Sequence, residues 1–315
     1  MKLAFVFPGQ GSQYVGMGLE FFRQYAEVRE VFAKADAALG FSLSDLCFQG
    51  PKEELQKTVN TQPAVLTASI ASLAVLLAHG VRPDAGAGHS LGEYTALVAA
   101  GSIDFKAAVK IVRRRGQLMQ EAVPLGSGGM VAVLGLRSER TETVLSIARE
   151  AGVIEAANYN CPGQVVLAGE MPALEAAVAA AKAAGAKKSV ILPVSGPFHS
   201  SLMRRASEIF EPELTIKGVI KKPEFPVVAN ATGNYVKTVP EVRGALVRQI
   251  YSPVLWEDGI RRLVQDGVKF FMEVGPGKVL TGLLKRIAPE AACCNVEDTA
   301  SLNAALEVLR HAGLA

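Results

Sequence analysis

The chain is short of several things that would announce a function class. It has four cysteines in 315 residues, Cys47, Cys161, Cys293 and Cys294. Two of them are adjacent and none has C-x-x-C spacing, so neither a metal site nor a disulfide framework is expected, and a reducing, cytoplasmic compartment is. Charge of one sign is also missing: 33 basic residues face 30 acidic ones, a balance that argues against nucleic acid as a partner. Half the residues are hydrophobic, yet the most apolar stretch, Ala64 to Ala78, is interrupted by Thr67, Ser69 and Ser72. It falls short of the roughly 20 residues of a membrane span and reads as a buried core helix with Pro63 near its start. Met1 to Phe7 is too short, and too soon broken by Pro8-Gly9, for a signal peptide. No internal repeat or low-complexity segment stands out.

What is present is an alternation of strand and helix long enough for two domains. Residues 2–7 read as a buried first strand, followed by the loop Pro8-Gly9-Gln10-Gly11-Ser12-Gln13. That loop is not a dinucleotide fingerprint, because Tyr14 stands where the third glycine belongs, and no P-loop lysine follows. Its backbone N–H groups are instead placed to serve an oxyanion. Helical patterns cover about 17–39, 62–79, 92–100 and 105–121, and the small residues before Gly88 read as a poor strand in the middle of a sheet. Between Gly126 and Val194 the order becomes βαββαβ: strands Met130–Leu134, Val153–Asn158, Gln164–Ala168 and Lys188–Val194, helices Ser138–Ala151 and Met171–Ala184. This is the ferredoxin-like signature. The glycines at 126–129 and the prolines at 193 and 197 look like crossing points into and out of an insert. Strands at Val227–Asn230, Phe270–Val274 and Ala292–Val296 then alternate with helices at 201–210, 241–250, 255–265, 277–287 and 299–312, which argues for a mostly parallel sheet. The expected division is 1–125 with 196–315 as an α/β large domain and 126–195 as a small domain.

The chain turns on Gly88-His89-Ser90-Leu91-Gly92, a G-x-S-x-G pentapeptide that lifts a serine onto a sharp bend before a helix. A plain strand-to-helix turn is the competing reading. A serine nucleophile needs a base, and there are four histidines. His79 ends a core helix, His311 lies in the last helix, and His89 adjoins the serine in a tight turn. His199 remains, in a loop entering a helix where the insert returns. No acid to orient it is evident; Asp258, Asp266 and Glu273 are candidates, and a neutral carbonyl would do the same work with less charge. In Arg113-Arg114-Arg115, Arg115 alone lies on the apolar stripe with Ile111, Val112, Leu118 and Met119, and so faces inward. A buried arginine needs an anion, either an internal carboxylate or a substrate's.

Taken together, Phe7-Pro8-Gly9-Gln10-Gly11-Ser12-Gln13, Thr61-Gln62-Pro63-Ala64, Gly88 to Glu93, Arg115-Gly116, Asn160-Cys161-Pro162-Gly163-Gln164, Gly196-Pro197-Phe198-His199-Ser200 and Glu273-Val274-Gly275-Pro276-Gly277 resemble the malonyl-CoA:acyl carrier protein transacylases and the acyltransferase domains of fatty-acid and polyketide synthases. The resemblance covers nearly the whole chain. It implies an α/β-hydrolase-like large domain with an inserted ferredoxin-like small one, Ser90 as the acyl-carrying nucleophile and His199 as its base and acid. It further implies that Gln249 supports the histidine, that Gln10 and Leu91 donate backbone N–H groups to the oxyanion, and that Arg115 holds the malonyl carboxylate. Phe198 resembles the malonyl-selecting form of its motif. Malonyl-CoA would be substrate, the accepting thiol would belong to the phosphopantetheine of an acyl carrier protein, and no resident cofactor is implied. Carrier proteins are acidic by the same resemblance, so Arg113, Arg114, Lys187, Lys188, Arg204 and Arg205 are candidate contacts. Two other classes stay open on the residues alone: a serine esterase or thioesterase, and a docking module that keeps the fold without the chemistry.

Overall fold

The computed structural model describes residues 2–194 and 196–313. The expected small-domain limit at residue 195, and the outer limits at 1 and 315, lie outside the described residues. Among the described residues, ten strands fall into two sheets. The first has six: β1 (Lys2–Phe7), β2 (Ala85–Gly88), β7 (Val227–Val228), β8 (Tyr235–Val236), β9 (Val268–Val274) and β10 (Ala292–Val296), in the order β10-β9-β1-β2-β7-β8. Every pairing is parallel except that of β8, which turns back along β7 at the edge. The alternation rule explains the layers. Leu3, Phe5 and Phe7 of β1 point into one core, and Ala4 and Val6 into the other. The first core is filled by the helix Thr58–Ala78 and its neighbours, the second by Trp256, Ile260, Leu263, Leu280 and Leu284.

β2 is Ala-Gly-Ala-Gly, and burial rather than propensity makes it a strand. All four residues are buried, and a Cβ on Gly86 would sit 3.0 Å from the Phe225 ring. Small residues let the strand lie close under its covering side chains.

The second sheet contains β3 (Gly128–Leu134), β4 (Ile154–Cys161), β5 (Gln164–Glu170) and β6 (Lys188–Ile191), ordered β4-β5-β3-β6 and antiparallel throughout. With helices Ser138–Ala148 and Met171–Ala183 packed on one face, this is the ferredoxin-like topology. Its other face carries Met130, Ala157, Val166 and Ala168 into the large core. β4 is stitched to the larger body by backbone bonds in both directions, from the Tyr159 N–H to the Val254 carbonyl (2.9 Å) and from the Val254 N–H to the Ala157 carbonyl (2.8 Å).

Several details differ from expectation. The long helix starts at Thr58, so Pro63 lies inside it rather than near its start, and its 21 residues are long and apolar enough to cross a membrane by length and composition. Most of that helix is enclosed in the core. The expected helix over 17–39 is two, Leu19–Gln24 and Ala26–Leu39, parted where Tyr25 takes an extended backbone. Gly128 and Gly129 belong to β3 rather than to a linker; a Cβ on Gly128 would crowd the Pro197 ring at 3.0 Å. β6 stops at Ile191, three residues short of the expected end.

Candidate active site

The carboxyl ends of parallel strands gather the functional residues, as open α/β sheets do. β1 ends at Phe7 and delivers the Gly9-Gln10 loop; beside it β2 ends at Gly88 and delivers Ser90; β7 delivers Asn230. Ser90 has φ 51°, the left-handed strain that a nucleophile elbow imposes. The two motif glycines make that bend possible. A Cβ on Gly88 would overlap the Gly92 carbonyl, and one on Gly92 would overlap the Phe7 carbonyl. Asn230, buried two residues beyond β7, which stops at Val228 short of the expected end at Asn230, clamps the bend: its Oδ1 accepts from the Ser90 N–H (2.6 Å) and its Nδ2 donates to the Gly88 carbonyl (2.7 Å).

His199 arrives from the loop after the small sheet, also at positive φ, 60°. Its Nε2 lies 2.7 Å from Ser90 Oγ and its Nδ1 lies 2.7 Å from the backbone carbonyl of Gln249. A carbonyl can only accept, so Nδ1 carries the proton and Nε2 offers its lone pair to the serine hydroxyl. Burial, reinforced by the positive charge of Arg115, pushes the imidazole down to about 3. The base is therefore neutral before it acts. Among the described residues the ring nitrogens of His199 bond Ser90 and the Gln249 carbonyl rather than Asp258, Asp266 or Glu273; Glu273 caps the helix Val279–Ile287 through the Leu280 and Thr281 N–H groups, and Asp266 accepts from Arg262.

Arg115 is 1% exposed, and its fork ends at the serine. Nη1 donates to Gln62 Oε1 (2.8 Å), and Nη2 donates to Gln249 Oε1 (2.8 Å) and to Ser90 Oγ (3.2 Å). All three acceptors are uncharged. Nε has no acceptor among the described residues. The nearby carboxylate, Glu93, is held off by the Gln249 amide, whose Nε2 donates to Glu93 Oε2 (2.7 Å). Burial pushes Glu93 up to about 7, against the bonds it accepts from Asn230 and Gln249. The guanidinium thus makes no direct ion pair among the described residues: Glu93 favours its charge only from behind the Gln249 amide, and Nη2 is left aimed at the serine.

Ser90, His199 and Arg115 line one cavity of about 230 Å³ with Gln10, Gln62, Leu91, Met119, Met130, Asn160, Val166 and Phe198. The backbone N–H groups of Gln10 and Leu91 have no acceptor among the described residues, so both are free to bind an oxyanion. Phe198 is buried in the wall beside His199. His89 lines the same cavity, but its ring is engaged elsewhere: its Nε2 meets Asn160 Oδ1 at 2.8 Å and the ring lies against Trp256.

The six surface cations are spread more widely. Arg113 stacks on Phe41 and donates to Asn60, Arg204 lies over Tyr251, and Arg205 pairs with Glu208. Asn230, Gln62, Asn160 and Glu93 were given no role by the sequence reading. Asn230 had one legible signal, a polar residue closing a buried strand at the carboxyl edge of the sheet.

A family model described as the acyl transferase domain matches residues 4–303. The chain belongs to that acyl transferase family. It is 44% identical over 311 residues to the malonyl CoA-acyl carrier protein transacylase of Bacillus subtilis, covering 98% of both chains. The crystal structure of the malonyl CoA-acyl carrier protein transacylase of Clostridium perfringens superposes with a TM-score of 0.96 at 43% identity, covering 100% of this chain and 99% of that one. A malonyl-transacylase solved in complex with its type II polyketide synthase acyl-carrier protein gives a TM-score of 0.94 at 46% identity, covering 98% of this chain and 99% of that one.

Proposed function

We propose that the protein moves a malonyl group from malonyl-CoA to the phosphopantetheine thiol of an acyl carrier protein, through a malonyl ester on Ser90, supplying extender units for fatty acid biosynthesis. The observation that carries this reading is the serine oxygen shared between His199 Nε2 and Arg115 Nη2 in one cavity. A hydrolase needs the first contact; a dicarboxylate thioester uses both.

In the first half-reaction Ser90 Oγ attacks the thioester carbonyl while His199 Nε2 takes the hydroxyl proton. The Gln249 carbonyl, already bonded to Nδ1–H, stabilises the imidazolium that results. The Gln10 and Leu91 N–H groups hold the tetrahedral oxyanion. Collapse breaks the C–S bond, and the proton on Nε2 goes to the departing coenzyme A thiolate. Arg115 takes the malonyl carboxylate by displacing its own contact with Ser90, which also frees the nucleophile. In the second half-reaction the carrier thiol enters, loses its proton to His199 and leaves as the malonyl thioester, restoring Ser90. Kinetics are ping-pong. No resident cofactor takes part, since coenzyme A is part of a substrate and phosphopantetheine belongs to the acceptor. Four cysteines without disulfide partners support a cytoplasmic location.

The test is acceptor dependence. With malonyl-CoA present, thiol release should be sustained with carrier bearing phosphopantetheine and limited to about one turnover with the same carrier lacking it. Sustained release of free malonate with either carrier would make the protein a thioesterase instead.

A further inference from the structure

Glu93 is buried with 0% exposure on the helix that follows the nucleophile, and it touches neither Ser90 Oγ nor His199. Its Oε2 accepts two bonds, from the Asn230 backbone N–H (3.0 Å) and from Gln249 Nε2 (2.7 Å), while its Oε1 has no partner among the described residues. An elbow helix could be packed there by any apolar side chain at lower cost, because a buried carboxylate with an empty oxygen is expensive. The bond to Gln249 indicates what that cost supports.

The Gln249 side chain could lie in its site in either of two amide orientations. In the observed one, Nε2 donates to Glu93 Oε2, to the Ser90 carbonyl (2.8 Å) and, at 3.4 Å, to Asn230 Oδ1, and Oε1 receives Arg115 Nη2. Turned over, its oxygen would face three acceptors, the Glu93 carboxylate the nearest of them, and its NH₂ would face a guanidinium. The direction of this one amide therefore decides whether Arg115 is met by an acceptor or by a donor. Resting on the reading of Arg115 as the malonyl clamp, we infer that Glu93 is a positioning residue for acyl selectivity. By accepting from Gln249 Nε2, it fixes the amide so that Gln249 Oε1 anchors the Arg115 guanidinium over Ser90.

The role belongs to an acceptor oxygen rather than to a charge. A proton taken up by Glu93 would sit on the unpartnered Oε1 and leave Oε2 accepting as before. Glutamine at this position can present the same acceptor, and leucine cannot. The separation between Glu93 and Arg115 is part of the device: a direct pair would neutralise the guanidinium and compete with an incoming carboxylate.

The experiment compares wild type, Glu93→Gln, Glu93→Leu and Arg115→Ala for acylation by malonyl-CoA and by acetyl-CoA, reading the ratio of kcat/KM for the two thioesters. The acetyl arm reports the shared serine, histidine and oxyanion site, and thermal unfolding reports the fold. Glu93→Leu should lower the malonyl-to-acetyl ratio by about tenfold, the worth of one lost hydrogen bond in the chain that holds a charged group. Glu93→Gln should keep the ratio within about threefold of wild type. An unchanged ratio in Glu93→Leu overturns the inference, as does an equal fall for both thioesters, which would mark a packing role. A ratio lost equally in Glu93→Gln overturns it too, since charge would then be the agent. If Arg115→Ala leaves the ratio unchanged, the clamp reading fails first and separately.

Discussion

Truncating Arg115 to alanine tests how the site recognises a dicarboxylate. The side chain is buried, and its hydrogen bonds go to Gln62 Oε1, Gln249 Oε1 and Ser90 Oγ, all uncharged. A malonyl carboxylate would supply the missing anion. Breaking a buried charge pair on one side costs about 3–5 kcal/mol, which is about two to three and a half decades in kcat/KM for malonyl-CoA. Acetyl-CoA carries no such carboxylate and should suffer only the general damage, chiefly the two amide oxygens left without a donor. That is about 1–2 kcal/mol, or roughly tenfold. Discrimination between the two thioesters should therefore shrink by at least about fivefold. Arg115→Lys keeps the charge without the planar fork and should fall between the two. The assay is single-turnover acylation with each thioester, monitored by thiol release. If both substrates lose equally, the guanidinium is a structural group, and the link drawn here between its burial and its purpose is wrong.

Gln249 supports His199 through its backbone, so Gln249→Ala should leave the orientation of the imidazole and the pH profile of acylation in place while lowering malonyl preference; a shifted profile would assign the support to the side chain. The low imidazole value predicts acylation with no titration step as pH falls through the usual histidine range near 6.5. It also carries a stability sign. Between about 6.5 and about 3 the unfolded chain binds a proton at His199 that the native chain does not, so this share of stability is present above that window and lost as pH falls through it. Unfolding midpoints of His199→Gln should decline less steeply there than those of wild type, and parallel slopes would refute the assignment. Asn230→Ala strands the Ser90 N–H and the Gly88 carbonyl, and should cost about 1–3 kcal/mol in denaturant unfolding together with a large drop in kcat. Full activity in that variant would show that the elbow holds itself.

The parts of the molecule legible in the sequence were those governed by local rules. The continuous apolar run of β1, the helical stripe that turns Arg115 inward, and the glycine spacing of the elbow each follow from one segment's own geometry. The ferredoxin-like order could be read because each of its elements ends at a glycine, a proline or a change of period. What escaped was set by distant partners. Asn230 reaches across 140 positions to the Ser90 N–H, and Gln249 across 134 to Arg115. Nothing near either residue announces those bonds. The two short helices Leu43–Gln49 and Lys52–Gln56 and the two-residue edge strand β8 also escaped, being too short to show a period. Gln249 illustrates the limit well: resemblance pointed to the residue, but the structure divides its work, giving the carbonyl to His199 and the side chain to Arg115.

The role proposed for Ser90 is to carry the acyl group between two thiols. Intact-mass spectrometry of the protein mixed briefly with malonyl-CoA measures this directly. The expected outcome is a species heavier by one malonyl group, absent in Ser90→Ala and discharged on adding carrier that bears phosphopantetheine. A malonyl adduct that persists in Ser90→Ala, or one that the carrier cannot discharge, would contradict it.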